Sequence, residues 1–269
     1  MLFAGLVKKI TPCRPWLAAI LLLATLAACE TTTTGGFNPE ADQDQALLDY
    51  VQLAVAYYDA NDMAGARRHL NNALAIDPRS ADAYNVLALI LQREGDLELA
   101  DETFRRAIGL DRTNSRVRNN YAAFLFSQER YPDAFEQLQL VANDSTYEGR
   151  AIAFENLGRS ALMLGEIDEA QRAFERALQI NNNLYISSLE LARIRIDKQD
   201  WTGARQAFQQ FLTIREFYSI PFDARSLWIG IQLENNIRNR EQMALYVRLL
   251  TALYPDSPEY QLYRSLADG

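Results

Sequence analysis

Cysteine and histidine are almost missing from this chain, which has two of the first and one of the second in 269 residues. Both cysteines, Cys13 and Cys29, fall within the first thirty residues, so the rest of the chain has no thiol for a disulfide, a thiolate metal site or a cysteine nucleophile. His69 stands alone, with no second His to share a metal and no Gly-x-Ser-x-Gly to make it part of a hydrolase triad. It reads as a surface or partly buried side chain. A Gly-x-x-x-x-Gly-Lys phosphate loop is also lacking. Excess positive charge is lacking too: the net charge is −8, which argues against nucleic acid as a ligand. Glycine (12) and proline (8) are sparse, so long helices can run without interruption. What is abundant is apolar side chain, 49% of the residues, enough for a sizeable core.

The first residues form a recognisable export pattern. Lys8, Lys9 and Arg14 precede a predominantly apolar run from Trp16 to Ala28, and no acid occurs before Glu30. The run is shorter than the roughly 20 residues a membrane-spanning helix needs, but it suits the core of a secretory signal. It ends in Leu26-Ala27-Ala28-Cys29. Small residues before a cysteine match the site cleaved by the bacterial lipoprotein signal peptidase. Residues 1–28 are therefore expected to be a signal peptide and Cys29 the lipidation site, with diacylglycerol on its sulfur and an acyl chain on its new amine. Several acyl chains, at about 0.8 kcal/mol per buried CH₂, anchor a protein stably. Glu30 after the cysteine, rather than Asp, favours sorting to the outer membrane. Residues 29–46, rich in threonine with Gly35, Gly36 and Pro39, read as a lipidated flexible tether.

From there the chain repeats. Ala66, Ala100 and Ala134 are 34 residues apart, and Ala170, Ala204 and Ala244 continue the series. Four residues after each come Leu70, Phe104, Leu138, Phe174, Phe208 and Arg248, and seven after each come Ala73, Ala107, Val141, Ala177, Phe211 and Thr251. Upstream lie the pairs Leu53-Ala54, Leu87-Ala88, Tyr121-Ala122, Leu157-Gly158, Leu191-Ala192 and Ile231-Gln232. This order of small and large residues resembles the tetratricopeptide repeat, in which helices A and B of each unit pack antiparallel. Small residues sit where the two backbones approach, and large ones fill the gap to the next unit. The spacing predicts an all-α, right-handed superhelical solenoid of about six helix-turn-helix units over residues 47–269. The units are 47–80, 81–114, 115–148, 151–184, 185–218 and 225–258, with a C-terminal cap at 259–269. The competing reading, unrelated amphipathic helices in a bundle, does not explain four positions recurring over five units. Gly95-Asp96 and Gly165-Glu166 mark turns between A and B helices, and Asp77-Pro78 ends the first B helix. Carboxylate pairs such as Asp101-Glu102 and Asp168-Glu169 are placed in the first turns of B helices, favouring the macrodipole rather than acid–base chemistry.

Such a stack is a binding surface. In this repeat, side chains at positions 2, 5, 9 and 12 of each A helix line the concave groove. The first unit supplies Leu48, Val51, Val55 and Tyr58, and the second Asp82, Asn85, Leu89 and Gln92. The third supplies Arg116, Asn119, Ala123 and Phe126, and the fourth Ile152, Glu155, Arg159 and Leu162. Leu48, Val51, Val55, Tyr58, Asn85, Leu89, Asn119 and Phe126 are the candidate partner-binding residues. The first set is apolar, as a docking surface would be, or as a surface covered by the tether or a cap would be. Val51 and Val55 occupy positions where repeats that clamp a terminal carboxylate carry Lys and Asn, so that mode is not expected.

Beyond the repeat, several stretches resemble one family, the type IV pilus biogenesis and stability lipoproteins, also called secretin pilotins. They are Asn119-Asn120-Tyr121-Ala122-Ala123-Phe124-Leu125, Tyr147-Glu148-Gly149-Arg150 leading into Glu155-Asn156-Leu157-Gly158, and Ser188-Leu189-Glu190-Leu191-Ala192. Further on come Ala224-Arg225-Ser226-Leu227-Trp228-Ile229-Gly230 and Tyr254-Pro255-Asp256-Ser257-Pro258-Glu259-Tyr260. Related chains often carry Cys after the Phe-Leu of the third unit, where this one has Phe126. The resemblance implies a non-enzymatic protein without cofactor, metal or small-molecule substrate. It implies a lipid anchor in the outer membrane, most simply facing the periplasm, and a protein partner, the pilus secretin, whose localisation and ring assembly it promotes. The alternative is a general periplasmic repeat scaffold of another envelope-assembly complex, which the neighbouring genes would discriminate.

Overall fold

The computed structural model describes residues 39–268, and Cys29 with the whole export pattern lies outside them. Among the described residues every regular element is a helix, thirteen in all. They pair as α1 (Pro39–Asp59) with α2 (Met63–Ile76), α3 (Ala81–Glu94) with α4 (Leu97–Leu110), and α5 (Ser115–Ser127) with α6 (Tyr131–Ala142). The later pairs are α7 (Arg150–Met163) with α8 (Ile167–Ile180), α9 (Tyr185–Asp197) with α10 (Trp201–Phe217), and α11 (Ala224–Asn236) with α12 (Arg240–Leu253). A final helix, α13 (Pro258–Asp268), packs on α11. This is the expected tetratricopeptide solenoid.

The recurring residues make the core. Ala66, Ala100, Ala134, Ala170 and Ala204 are fully buried, and so are the large side chains four residues on, from Leu70 to Phe208. A Cβ placed on Gly158 would lie 2.7 Å from the Phe174 ring, so only a bare backbone lets α7 close on α8. The sixth pair departs from the spacing. Ala244, Arg248 and Thr251 face solvent, and their places are taken by residues one or two earlier. Gly230 lies against Phe208 and Tyr246, and Leu250 completes the contact. Arg248 has no apolar body to fill the gap that Tyr246 fills, and the helix rotates accordingly.

All six turns from A helix to B helix share one backbone device. A single residue turns left-handed: Asn61, Gly95, Glu129, Gly165, Gln199 and Arg238, with φ between 58° and 87°. The next N–H then reaches back five residues, as from Asp96 to Leu91 (3.0 Å) and from Asp200 to Arg195 (2.8 Å). This pattern satisfies the free carbonyls at a helix end. Glycine serves at two of the six turns, and ordinary residues accept the strained region at the other four.

Two boundaries differ from expectation. Helix α1 begins at Pro39, inside the stretch read as tether. Proline is pre-organised for a first helical turn, and Asp42 follows it where negative charge favours the macrodipole. Helix α10 runs for 17 residues where most B helices have 14, and it ends in a left-handed Ser219. Phe217 and Tyr218 are left exposed there, edge-to-face at 4.8 Å.

Candidate partner-binding surface

The A helices line one face of the stack. From the second unit on, each A helix touches the A helix of the next unit directly, α3 on α5, α5 on α7, α7 on α9 and α9 on α11. No two B helices pack in this way among the described pairs, so the A side is the tighter, inner side.

Polar contacts stitch the inner side together. Asn120 donates its amide to Asn85 Oδ1 at 3.1 Å, joining α5 to α3. The Glu155 carboxylate on α7 accepts from both the N–H (3.0 Å) and the hydroxyl (2.8 Å) of Ser187. Ser187 is the third residue of α9, whose N-cap position holds Leu184 and offers no side-chain acceptor. Glu155 therefore caps the following unit's helix, and its negative charge sits at a positive helix end. Glu190 on α9 is buried between two guanidinium groups, Arg193 at 3.1 Å and Arg225 at 2.6 Å.

The expected groove residues divide. Leu48 and Val55 on α1 are exposed, at 51% and 36%, and two helical turns bring them onto one face. Tyr58 is half-buried, and the Arg93 guanidinium lies 3.6 Å from its ring centre while donating to its carbonyl at 2.6 Å. Leu89, Asn119 and Phe126 are half-buried on the inner side. Val51 and Asn85 are not open surface. Val51 packs with Ala54, Leu70 and Ala83 because the buried stripe of α1 is wide enough to include position 5, and Asn85 is taken up by its bond to Asn120.

Two residues that sequence reasoning placed in the groove rows but did not select stand out in the structure. Arg159 stacks over the Phe126 ring at 4.7 Å and makes no ion pair among the described residues. Arg116 keeps most of its side chain exposed and meets Asp82 only at 3.9 Å. Nearby, Asn119 Oδ1 is buried with no hydrogen-bond partner.

Other titratable groups that the sequence singles out are engaged in packing and ion pairs. His69 is half-buried and stacked on Tyr57 at 4.9 Å. Asp101 lies one turn further into its helix than a dipole role requires. It joins Arg105 (2.7 Å), Arg130 (2.8 Å) and the Tyr121 hydroxyl (2.8 Å), clasping α4, α5 and α6. Burial pushes the Tyr121 phenol up from its ordinary value. Asp168 and Glu169 do occupy the first turn of α8, and Lys198 beside Asp168 holds that carboxyl below its usual range. Among the described residues no group of three His, Cys, Asp or Glu is placed to hold a metal ion, and no helix is long and apolar enough to cross a membrane.

Comparison with known proteins agrees with this architecture. Tetratricopeptide-repeat family models match residues 55–95, 81–114, 114–183 and 155–219. The type IV pilus assembly protein PilF of Pseudomonas aeruginosa is 35% identical over 251 residues, 92% of this chain and 98% of that protein. The chain belongs to the tetratricopeptide-repeat family and is a homologue of PilF. Solved structures place these homologues on the same scaffold. Pseudomonas aeruginosa PilF superimposes with a TM-score of 0.77 at 36% identity, covering 83% of this chain and 99% of that one. PilW, described as a widely conserved type IV pilus biogenesis factor, gives 0.66 at 25% identity, covering 81% and 98%. Tetratricopeptide-repeat proteins bind protein partners.

Proposed function

We propose that this chain is a pilotin: a lipoprotein of the outer membrane that binds the secretin of the type IV pilus, carries it to that membrane and promotes its assembly into a ring. The observation that carries the reading is identity to PilF across nearly the whole of both chains rather than over an isolated repeat. Two features fit it. Cys29 closes a lipoprotein signal, so the acyl chains would supply the membrane address. Leu48 and Val55 stand open on α1, the described helix that follows that anchor in the chain. A partner held there is concentrated at the membrane, which favours multimerisation.

Deleting the gene and fractionating the envelope tests this directly. Heat-stable secretin multimers should vanish from the outer membrane and return with the wild-type gene, but not with Cys29→Ser. Normal multimers in the deletion strain would refute the proposal.

A further inference from the structure

The A helices of the third to sixth units carry more base than acid in an acidic protein. The four A helices there, α5, α7, α9 and α11, carry Arg116, Arg118, Arg150, Arg159, Arg193, Arg195 and Arg225 against Glu155, Glu190, Asp197 and Glu234, although Arg118, Arg150 and Arg195 turn towards the B helices, onto Gln137, the Ala142 carbonyl and Glu175. The whole chain, in contrast, has a net charge of −8.

Most of those acids are already committed or withdrawn. Glu155 is buried and capping α9, and Glu190 is buried and bridged by two arginines. Glu234 is buried too. Only Asp197 stands exposed, and Arg193 reaches it at 3.1 Å. The bases are not all matched. Arg159 has no acid partner among the described residues, and the Phe126 ring beneath it fixes its guanidinium in place rather than neutralising it. Arg116 is 64% exposed and weakly paired.

From these observations we infer that the inner side of α5, α7 and α9 takes an extended acidic segment of the protein partner, with Arg159 as its principal charged contact and Arg116 as the second. Charge complementarity selects the occupant: carboxylates meet the Arg159 guanidinium, which has no ion pair among the described residues, and Arg116, which Asp82 holds only loosely. The inference deepens the pilotin reading and rests on it for the identity of the partner, though not for its chemistry. The first unit grips by apolar contact, and the middle of the stack adds charge.

The test uses the full chain in detergent and two fluorescein-labelled dodecapeptides, one alternating Glu and Ser, the other Lys and Ser. Fluorescence anisotropy should show the Glu peptide binding at least about tenfold more tightly, and weakening as salt rises from about 50 to about 300 mM. Arg159→Glu should abolish that preference and Arg116→Glu should reduce it. Arg172→Glu, on the outer helix α8, should leave it intact. Circular dichroism monitors folding, and Arg159→Gln removes the charge should the Glu variant fail to fold. Equal binding of the two peptides overturns the inference, as does selectivity that survives Arg159→Gln. Binding to phosphatidylglycerol vesicles without peptide selectivity also overturns it, in favour of a lipid surface. Loss of secretin multimers on gene deletion together with equal peptide binding would defeat this inference alone. Normal multimers together with Arg159-dependent selectivity would defeat the pilotin reading alone.

Discussion

The inner faces of the first and third units come from the same kind of helix at the same kind of position, yet they present opposite chemistry. Helix α1 has five acids and no base, with Leu48 and Val55 open on one side. Helix α5 has Arg116 and Arg118 and no acid, and its groove positions are polar apart from Ala123 and Phe126. The packing positions beneath them hardly differ: Ala54 above Leu70 in one, Ala122 above Leu138 in the other, all buried. Core positions of a repeat must match their neighbours for the stack to continue, while the exposed positions of an A helix are freer to answer what arrives from outside. Adhesion by apolar area and selection by charge can therefore be distributed along a single groove.

The comparison is broken most forcefully from below. Phe174→Ala removes a fully buried ring from the middle of the stack and should cost about 3–5 kcal/mol. The fourth unit then uncouples those before it from those after it. Leu70→Ala should cost about 2–5 kcal/mol but release only the terminal pair, since an end unit has one neighbour. Hydrogen exchange resolved by helix reads the difference, and equal loss of protection everywhere in both variants would contradict it. Next in size, Glu155→Ala leaves the Ser187 N–H and hydroxyl without an acceptor and should cost about 1–3 kcal/mol, with Glu155→Gln recovering part of it. Urea unfolding measures both. Smaller in stability, but decisive for the first unit, is the double change Leu48→Asp with Val55→Asp. Both side chains are exposed, so the fold should shift by less than about 0.5 kcal/mol while capture of the secretin is lost in pull-down. Retained capture would move the docking site elsewhere.

The smallest effect concerns pH. Burial raises the Glu234 carboxyl above its ordinary range, against an opposing hydrogen bond from Asn239 and the charge of Arg205. The protonated form is the one the fold prefers. The stability it supports is complete below the unfolded value of about 4.3 and declines as pH rises through the raised folded value. Glu234→Gln should flatten that decline in thermal melts recorded from about pH 4 to about pH 7. An unchanged slope would show that Glu234 is already ionised at no cost.

The sequence was readable wherever a side chain's size decided its place. Five alanines at intervals of 34 or 36 residues located the first five units, and Gly95 and Gly165 located two turns. Glu129 and Gln199 adopt the same left-handed turn with nothing in their chemistry to announce it, because main-chain bonds and the packing of flanking helices impose it. The sixth unit slipped because Ala244, 40 residues after Ala204, continues the series only in residue type while Tyr246 does the packing. In the groove, Val51 and Asn85 occupy the expected positions but are covered, and residue type alone does not tell a rim position from a covered one. Arg159 was visible in the same rows. Its weight depends on the acids around it being otherwise engaged, which only three-dimensional neighbours reveal.

The bond from Glu155 to Ser187 has a mechanical side. A helix that borrows its opening cap from the preceding unit cannot be complete without it, so a chain ending after the fourth unit and one beginning at the fifth are not symmetric halves. The first half keeps a carboxylate with nothing to hold, and the second starts with a frayed helix. Units four and five should then yield together under force, as one bead on the string rather than two.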